Sequence, residues 1–237
     1  MSLSVVDHLR WDLKQIFEIA VSEGLIERNP AKLLFTPSEA KVGERRAMTL
    51  EEVRKCLMVL DVLDIRERLV VQLAIIAGMR PGEVLGLTWK YVGPDYIDVR
   101  QRVYKGKIDT PKTKQSIRKA ALSNGVVAAL GQWKSISLDT NPDAWVFPSE
   151  RGTPLSRDNI LRRTINPRLA KVGLGWVDFQ VMRRTHSTLM NNMGVEGKLV
   201  ADQLGHSLDV NQNVYTKSPV DRRKLVVDQL EQALVTH

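Results

Sequence analysis

Apolar residues recur at the three- and four-residue spacing of helices along most of the chain, and they alternate with polar residues only between positions 96 and 122. The alternating stretch predicts short strands over 96–99, 108–110 and 117–122. The helical spacing predicts helices over 5–23, 64–77, 81–85, 123–133, 156–171, 179–193, 197–204 and 219–234, with another that begins at Thr49. We therefore expect an α+β fold that is mainly helical with one small antiparallel sheet.

Residues at the helix ends support this division. Thr49 and Glu52 have the spacing of a capping box, and Gly24 follows the first helix as a common end residue. Positions 32–46 have no clean period and contain proline, serine and glycine, as a linker would. The first helix has a wide apolar face without a partner nearby in the sequence. We expect residues 1–40 to be the end of a truncated domain and residues 41–237 to form a second domain.

The composition excludes several classes of protein. Of 237 residues, 43% are hydrophobic and 26% are charged, which is typical of a globular protein without membrane-spanning segments. Cys56 is the only cysteine, so an intrachain disulfide cannot form and the cytoplasm is the natural compartment. The chain has no glycine-rich phosphate loop, no paired-histidine zinc motif and no nucleophile-elbow serine. We expect neither a metal nor a cofactor.

Basic residues dominate two stretches of the chain. The formal net charge is +8, and the isoelectric point is about 9.7. Two clusters on one chain favour a cationic groove for a polyanion over two solvated faces. The first cluster comprises Arg100, Arg102, Lys105, Lys107, Lys112, Lys114, Arg118 and Lys119, against one acid, Asp109. The second comprises Arg157, Arg162, Arg163, Arg168, Lys171, Arg183 and Arg184.

Polar residues at predicted element ends carry the candidate chemistry. Arg80 lies in a Gly-Met-Arg-Pro-Gly-Glu box, Arg183 lies near the start of a helix, and His206 lies in a Leu-Gly-His-Ser box. Tyr215 follows His206 by nine residues. In order and spacing, residues 45–217 resemble the tyrosine recombinases, the phage-integrase family. The resemblance implies that Tyr215 is the nucleophile and that Lys112 is the hairpin lysine, with Lys114 as the second choice.

The chemistry of DNA cleavage asks for these residue types. Attack on a phosphodiester builds negative charge on the non-bridging oxygens, which Arg80 and Arg183 can neutralise with paired hydrogen bonds. His206 can donate a further hydrogen bond, and Lys112 can protonate the leaving 5′-oxygen. A 3′-phosphotyrosine on Tyr215 keeps the bond energy for rejoining, so no nucleotide cofactor is needed.

Gln180 departs from the family pattern. The resemblance places a histidine three residues before the second arginine, where it would accept the tyrosine proton, but this chain has Gln180. Glutamine can orient a phosphate or phenol by hydrogen bonding, but it does not accept a proton at neutral pH. We expect slower chemistry rather than none. His186 we assign to the helix surface or core, and Glu83 is expected to orient Arg80 or Gln180.

The resemblance also implies partners. Residues 1–40 would be the last helix and linker of a core-binding domain, residues 41–237 would be the catalytic domain, and the chain would assemble as a tetramer on double-stranded DNA in a bacterial or phage setting. The last helix could pack on its own chain or dock onto a neighbouring protomer. Two other classes stay open, a DNA-binding protein that has lost catalysis and a type IB topoisomerase. The residues expected to contact DNA are Arg102, Lys105, Lys107, Lys114, Arg118, Arg162, Arg163 and Arg184.

Overall fold

The computed structural model describes residues 3–38, 46–110, 114–205 and 220–235. The chain divides into two compact units, Met1–Arg46 and Ala47–His237. The boundary between the two units follows Arg46. None of the described helices is long and apolar enough to cross a membrane.

The first unit consists of helix α1, Leu3–Ser22, and the segment that follows it. Gly24 ends the helix in the left-handed region, at a φ of 70°, a conformation that costs glycine no steric strain. Asn29 then holds the segment to the helix, because its Nδ2 donates to the Lys14 carbonyl at 2.9 Å and to Glu18 Oε2 at 2.8 Å. No residue of α1 is buried, and several of its apolar residues, among them Trp11 and Ile16, are exposed.

The second unit is mainly helical, which confirms the expected fold class. Its larger helices are α2 Leu50–Leu60, α3 Ile65–Ile75, α4 Pro81–Leu85, α5 Asn124–Ile136, α8 Phe179–Asn192, α9 Gly197–Leu204 and α10 Val220–Val235. The predicted capping box of α2 is present: Glu52 N donates to Thr49 Oγ1 at 3.1 Å, and Thr49 N donates to Glu52 Oε2 at 2.8 Å. One-turn 3₁₀ helices lie at Trp89–Tyr91 and Lys114–Ser116.

Helix α3 is the centre of the core. Its buried side chains point in all directions around the axis, with Leu69, Leu73 and Ile75 fully inaccessible to solvent. A helix that is apolar on every side needs neighbours all around it. The neighbours of α3 include helices α2, α4, α5 and α8. Helix α3 therefore supports the segment that follows its C-terminal end.

Within the described residues, the strands form two separate two-stranded sheets, where the sequence predicts one small sheet. Strand β1, Tyr96–Val99, pairs antiparallel with β4, Arg118–Ala121, so that Val99 lies opposite Arg118. Strand β2, Arg102–Tyr104, pairs with β3, Lys107–Asp109, to form a hairpin. Its two-residue turn, Lys105-Gly106, has positive φ at both positions, as tight hairpins require. The sequence analysis did not predict β2.

The helix predicted over 156–171 is interrupted by a π-helical stretch. It runs as α6, Arg157–Asn159, then the π turns Ile160–Ile165, then α7, Asn166–Ala170. Pro167, near the start of α7, has no N–H to donate to the preceding turn. The wider π turns precede that proline and carry two exposed basic residues, Arg162 and Arg163.

Helix α10 packs on its own chain. Val227, Leu230 and Leu234 are buried in the core of the second unit. Two acids of α10 accept hydrogen bonds from the N-terminal backbone of α5, Asp228 from Asn124 N at 2.8 Å and Glu231 from the next amide at 3.1 Å. Carboxylates are favoured at this positive end of a helix. Of the two alternatives for this helix, the structure shows packing on its own chain.

Candidate active site

Arg80 lies at the start of α4, two residues after a left-handed turn that ends the buried helix α3. Gly78 forms that turn with a φ of 65°, and a Cβ atom there would lie 2.7 Å from His186 Cδ2. Glu83 holds Arg80 twice: Oε2 accepts from the Arg80 backbone N–H at 2.9 Å, and Oε1 accepts from Nη1 at 2.8 Å. The sequence analysis expects Glu83 to orient Arg80 or Gln180, and that role stays a prediction.

Arg183 lies one turn into helix α8. The helix begins at Asp178, whose carboxylate accepts from Val181 N at 2.7 Å and caps the free amides of the first turn. The Arg183 guanidinium reaches out of α8 in two directions. Its Nη2 donates to the Leu204 carbonyl at 2.5 Å, and its Nη1 donates to the Gly78 carbonyl.

Both guanidinium groups converge on the turn that ends α9. Gly205 adopts the left-handed conformation there, with φ 65° and ψ 46°. Arg80 Nη2 lies 3.5 Å from the Gly205 carbonyl, and Arg183 bonds the carbonyl one residue earlier. The structure therefore brings together two arginines that are about 100 positions apart in the sequence.

Three predicted site residues, Lys112, His206 and Tyr215, lie outside the residues that the structure describes. Their roles stay predictions. His206 is the residue that directly follows Gly205. The two arginines therefore converge on the turn that leads into the predicted histidine.

Arg118 is not on the surface, where the sequence analysis expects it to contact DNA. Only 3% of the residue is exposed. Its guanidinium forms a forked ion pair with Glu83, with Nη2 to Oε2 at 2.9 Å and Nη1 to Oε1 at 3.1 Å. Its Nε donates to the Gln203 carbonyl at 2.7 Å. The prediction that Arg118 contacts DNA is therefore wrong, because all three nitrogens of its guanidinium bond to groups inside the protein.

The site has a strong positive field. Among the described residues, Arg80, Arg118 and Arg183 surround one carboxylate, that of Glu83. Burial would raise the pKa of Glu83, but Arg118 and Arg80 outweigh it and lower that pKa to about 2. Burial, Arg80 and Arg118 lower the pKa of Arg183 to about 9, which leaves it protonated at neutral pH. Three positive charges and one negative charge give this cluster a net positive charge, which favours an anion nearby.

Gln180 and His186 lie on the same helix as Arg183 in different surroundings. Gln180 is exposed and lies three residues before Arg183, on the same side of α8. His186 is completely buried, and its Nδ1 lies 3.0 Å from the Ile75 carbonyl. Burial lowers the pKa of His186 to about 4, with a further contribution from Arg183. This burial agrees with a structural role for His186. Gln180, by contrast, is exposed to solvent on the side of α8 that carries Arg183.

The hairpin of β2 and β3 lies directly against α4. A Cβ atom on Gly82 would lie 2.7 Å from the Val103 carbonyl, and Gln101 Nε2 donates to the Gly86 carbonyl at 2.7 Å. This close approach places the basic hairpin beside the helix that begins at Arg80. Lys105 and Lys107 are exposed at its tip.

The other residues predicted to contact DNA differ in exposure. Arg102 is partly buried and bonds within the hairpin, to Asp109 Oδ2 at 2.5 Å and to the Thr110 carbonyl at 3.1 Å. Arg162 and Arg163 are exposed on the π turns, and Arg184 is partly buried on α8. Of Lys114 the structure describes only the backbone, in a 3₁₀ turn. No group of three His, Cys, Asp or Glu side chains in the described ranges could hold a metal ion.

The sequence analysis did not predict that two residues of the site, Arg118 and Gln203, lie in the interior. Arg118 shares a face of β4 with buried Ala120, while exposed Lys119 points the other way. Because successive side chains of a strand point to opposite faces, the sequence pattern of β4 could have predicted that Arg118 points inward. Gln203 lies fully buried on α9, where its amide bonds the Ala77 carbonyl at 3.0 Å and the Ala121 backbone at 3.0 Å. No local pattern marks Gln203, because both of its partners are distant in sequence.

The second unit is mainly helical, and two arginines of it converge on one turn. The family model described as the phage integrase family matches residues 46–222. The chain belongs to this family.

Individual proteins show the same likeness. The XerC-like tyrosine recombinase of Caldanaerobacter subterraneus subsp. tengcongensis is 28% identical over 86% of this chain and 60% of its own length. The chain therefore spans less than two thirds of that relative.

Solved structures share the fold. The Tn1549 transposon integrase in complex with transposon right end DNA has a TM-score of 0.74 at 18% identity, covering 100% of this chain and 81% of the other. A lambda integrase tetramer bound to a Holliday junction has a TM-score of 0.60 at 21% identity, covering 88% and 60%. These likenesses show that the chain shares the fold of these integrases.

Proposed function

We propose that this chain is a site-specific DNA recombinase of integrase type, which cleaves and rejoins DNA through a 3′-phosphotyrosine intermediate at Tyr215. One observation carries the proposal: Arg80 and Arg183 converge on the turn that leads into His206, in a pocket of net positive charge. A phosphodiester is the anion that a pair of guanidinium forks binds best.

The reaction follows from the chemistry of these groups. The Tyr215 phenol gives its proton to water as its oxygen attacks phosphorus, and the bond from phosphorus to the 5′-oxygen breaks. Arg80 and Arg183 stabilise the charge that develops on the non-bridging oxygens, because their donors are held in place before the reaction. Lys112 delivers the proton to the leaving 5′-oxygen, and His206 donates a further hydrogen bond to the phosphate. Rejoining is the same sequence in reverse, so neither a metal nor a nucleotide is consumed.

Gln180 limits the rate in this proposal. It lies on the same side of α8 as Arg183, but it cannot take the proton of a phenol, whose ordinary pKa is about 10. A missing general base costs about 10²- to 10⁴-fold in rate, while the cationic pocket survives. The same feature favours the second candidate, a family member that binds DNA without cleaving it.

The partner is double-stranded DNA, and two sites are brought together by a tetramer. The exposed lysines at the hairpin tip and the arginines of the π turns support a DNA-binding face. The DNA-bound Tn1549 and lambda integrases, one of them a tetramer on a Holliday junction, support the partner and the assembly. A lone cysteine fits a reducing cytoplasm, where such DNA lies.

Covalent capture tests the proposal without a known target sequence. The protein is incubated with a pool of nicked duplexes that carry a random stretch, and the protein-linked DNA is recovered under denaturing conditions and sequenced. We expect one enriched sequence, a linkage that is lost in Tyr215→Phe, and an unchanged linkage in Tyr91→Phe, a partly buried tyrosine outside the site. Gln180→His should speed up capture.

Other outcomes separate the alternatives. Specific binding without any covalent product would overturn cleavage and favour the non-catalytic family member. Relaxation of supercoiled plasmid without sequence preference would favour a type IB topoisomerase.

A further inference from the structure

Arg118 places a permanent positive charge in the interior. Its side chain has no solvent exposure, and that of its partner Glu83 is 2% exposed. Taking both ions out of water is costly, and their attraction offsets that cost only with good geometry and further hydrogen bonds. Here the guanidinium has both: a fork on the carboxylate, and bonds to the Gln203 carbonyl at 2.7 Å and the Ser116 carbonyl at 3.1 Å.

The three partners of Arg118 belong to three separate segments. Each segment lies next to a residue to which the proposed reaction assigns a role. Glu83 is three positions after Arg80, Ser116 is four positions after Lys112, and Gln203 is three positions before His206. The planar guanidinium of Arg118 therefore bonds to all three segments.

The backbone around Arg118 leaves the guanidinium little freedom. Arg118 is the first residue of β4 and pairs with Val99 of β1. The turn at the end of α9 packs on its side chain so closely that a Cβ atom on Gly205 would lie 2.9 Å from Arg118 Cδ. Contacts on both sides hold the guanidinium where it meets Glu83, which in turn holds the backbone and side chain of Arg80.

We propose that Arg118 is a positioning residue for DNA strand cleavage, which joins the segments of Arg80, Lys112 and His206 and does not contact DNA. The inference rests on the proposed function. It differs from a surface role in DNA binding, which would need a free guanidinium. It also differs from a purely structural role, in which only the amount of folded protein would change.

The test compares Arg118→Met and Arg118→Lys with the unchanged protein. Methionine keeps the length of the side chain without the charge, and lysine keeps the charge without the fork. Arg66→Met is the matched control, because Arg66 also bridges a buried carboxylate, Glu67 at 2.6 Å, and a backbone carbonyl, that of Pro148 at 3.1 Å. Arg66 lies at the opposite end of α3 from the site.

Single-turnover cleavage of the captured duplex is measured at a temperature where circular dichroism shows each variant folded. We expect Arg118→Met to cleave about 100-fold more slowly, the loss typical of misplaced reacting groups, and Arg118→Lys to fall in between. The affinity of Arg118→Met for the duplex should differ from that of the unchanged protein by less than about 3-fold, and the dependence of this affinity on salt should be unchanged. A salt dependence that falls by about one released ion would overturn the inference, because Arg118 would then contact phosphate.

The pH profile distinguishes positioning from mere stability. In Arg118→Met, Glu83 keeps its burial and faces only Arg80, with Arg183 nearby, so its pKa should rise. Protonation of Glu83 would loosen Arg80, and the cleavage rate should decline on the acid side. The decline should be absent in the unchanged protein and in a variant that also carries Glu83→Gln. A rate that merely follows the folded fraction, with no acid decline, would overturn the inference.

Failure of the proposed function would be visible separately. If the unchanged protein captures no DNA, cleavage is refuted, and the positioning of the arginines is then tested with inorganic phosphate. Phosphate binding, measured by thermal stabilisation, should be about 10-fold weaker in Arg118→Met and unchanged in Arg66→Met. Equal affinity in both variants, or no binding by the unchanged protein, would overturn the role of Arg118.

Discussion

Acidification from pH 7 to about pH 5 should destabilise the second unit through His186. This side chain is fully buried on α8, and its Nδ1 donates to the Ile75 carbonyl at the end of α3, at 3.0 Å. The other ring nitrogen, Nε2, is buried without a partner among the described residues. Charging the ring would therefore place an uncompensated cation beside Arg183 and Arg118, both of which already oppose its protonation.

The size of the effect follows from two pKa values. Burial lowers the pKa of folded His186 from its ordinary value of 6.5 to about 4. Between these values the unfolded chain binds more protons than the folded one, so the free energy of unfolding falls as the pH falls. From pH 7 to pH 5 the loss amounts to about 2 kcal/mol. Glu83, whose folded pKa is about 2 against an ordinary 4.5, acts mainly below this range.

Urea unfolding at both pH values measures this loss, and His186→Asn is the matched variant. The amide of asparagine can replace Nδ1 as the donor to the Ile75 carbonyl, but it does not titrate. We expect the unchanged protein to lose about 2 kcal/mol more than the variant between pH 7 and pH 5. An equal loss in both proteins would refute the assignment of a buried, neutral His186.

Three further predictions concern the turn, a helix cap and the lone thiol. Gly205→Ala should lower the free energy of unfolding by about 2 kcal/mol more than Gly152→Ala, because both positions have positive φ but only Gly205 lies against Arg118. Urea titrations measure both free energies, and an equal loss in the two variants would contradict the close contact. Asp178→Ala should cost about 1 kcal/mol by the same measurement, since it removes the cap of α8, and an unchanged stability would contradict the cap. Burial raises the pKa of Cys56 to about 12, so a thiol reagent should modify it only as fast as the protein unfolds, and rapid reaction of the native protein would show that the thiol is accessible.

Much of the local structure could be predicted from the sequence because its causes are local. The capping box at Thr49, the glycine turns and the helical spacing each depend on residues within a few positions of one another. The predicted helices are present within a few residues, and the strand Tyr96–Val99 is confirmed. The π stretch of Ile160–Ile165 and the separation into two sheets could not be predicted, since they depend on how distant segments pack.

The candidate site divides in the same way. Arg80 and Arg183 stood out by their places in short boxes, and the structure shows that the two side chains reach the same turn. The third arginine of the cluster, Arg118, is one of eight basic residues between positions 100 and 119, and charge alone cannot distinguish an inward residue from an outward one.

The sequence alone determines the fold class, the family resemblance and the residues that could supply phosphodiester chemistry. It does so because periodicity, caps and motif spacing are written along the chain. Only the tertiary structure decides which of the many cations is buried. Packing of β4 against α9 and α10 removes Arg118 from water. A guanidinium removed from water must find a carboxylate and carbonyls inside the protein, here those of Glu83 and Gln203. That requirement places Arg118 in the interior, whereas Lys105 and Lys107 of the hairpin stay exposed to solvent.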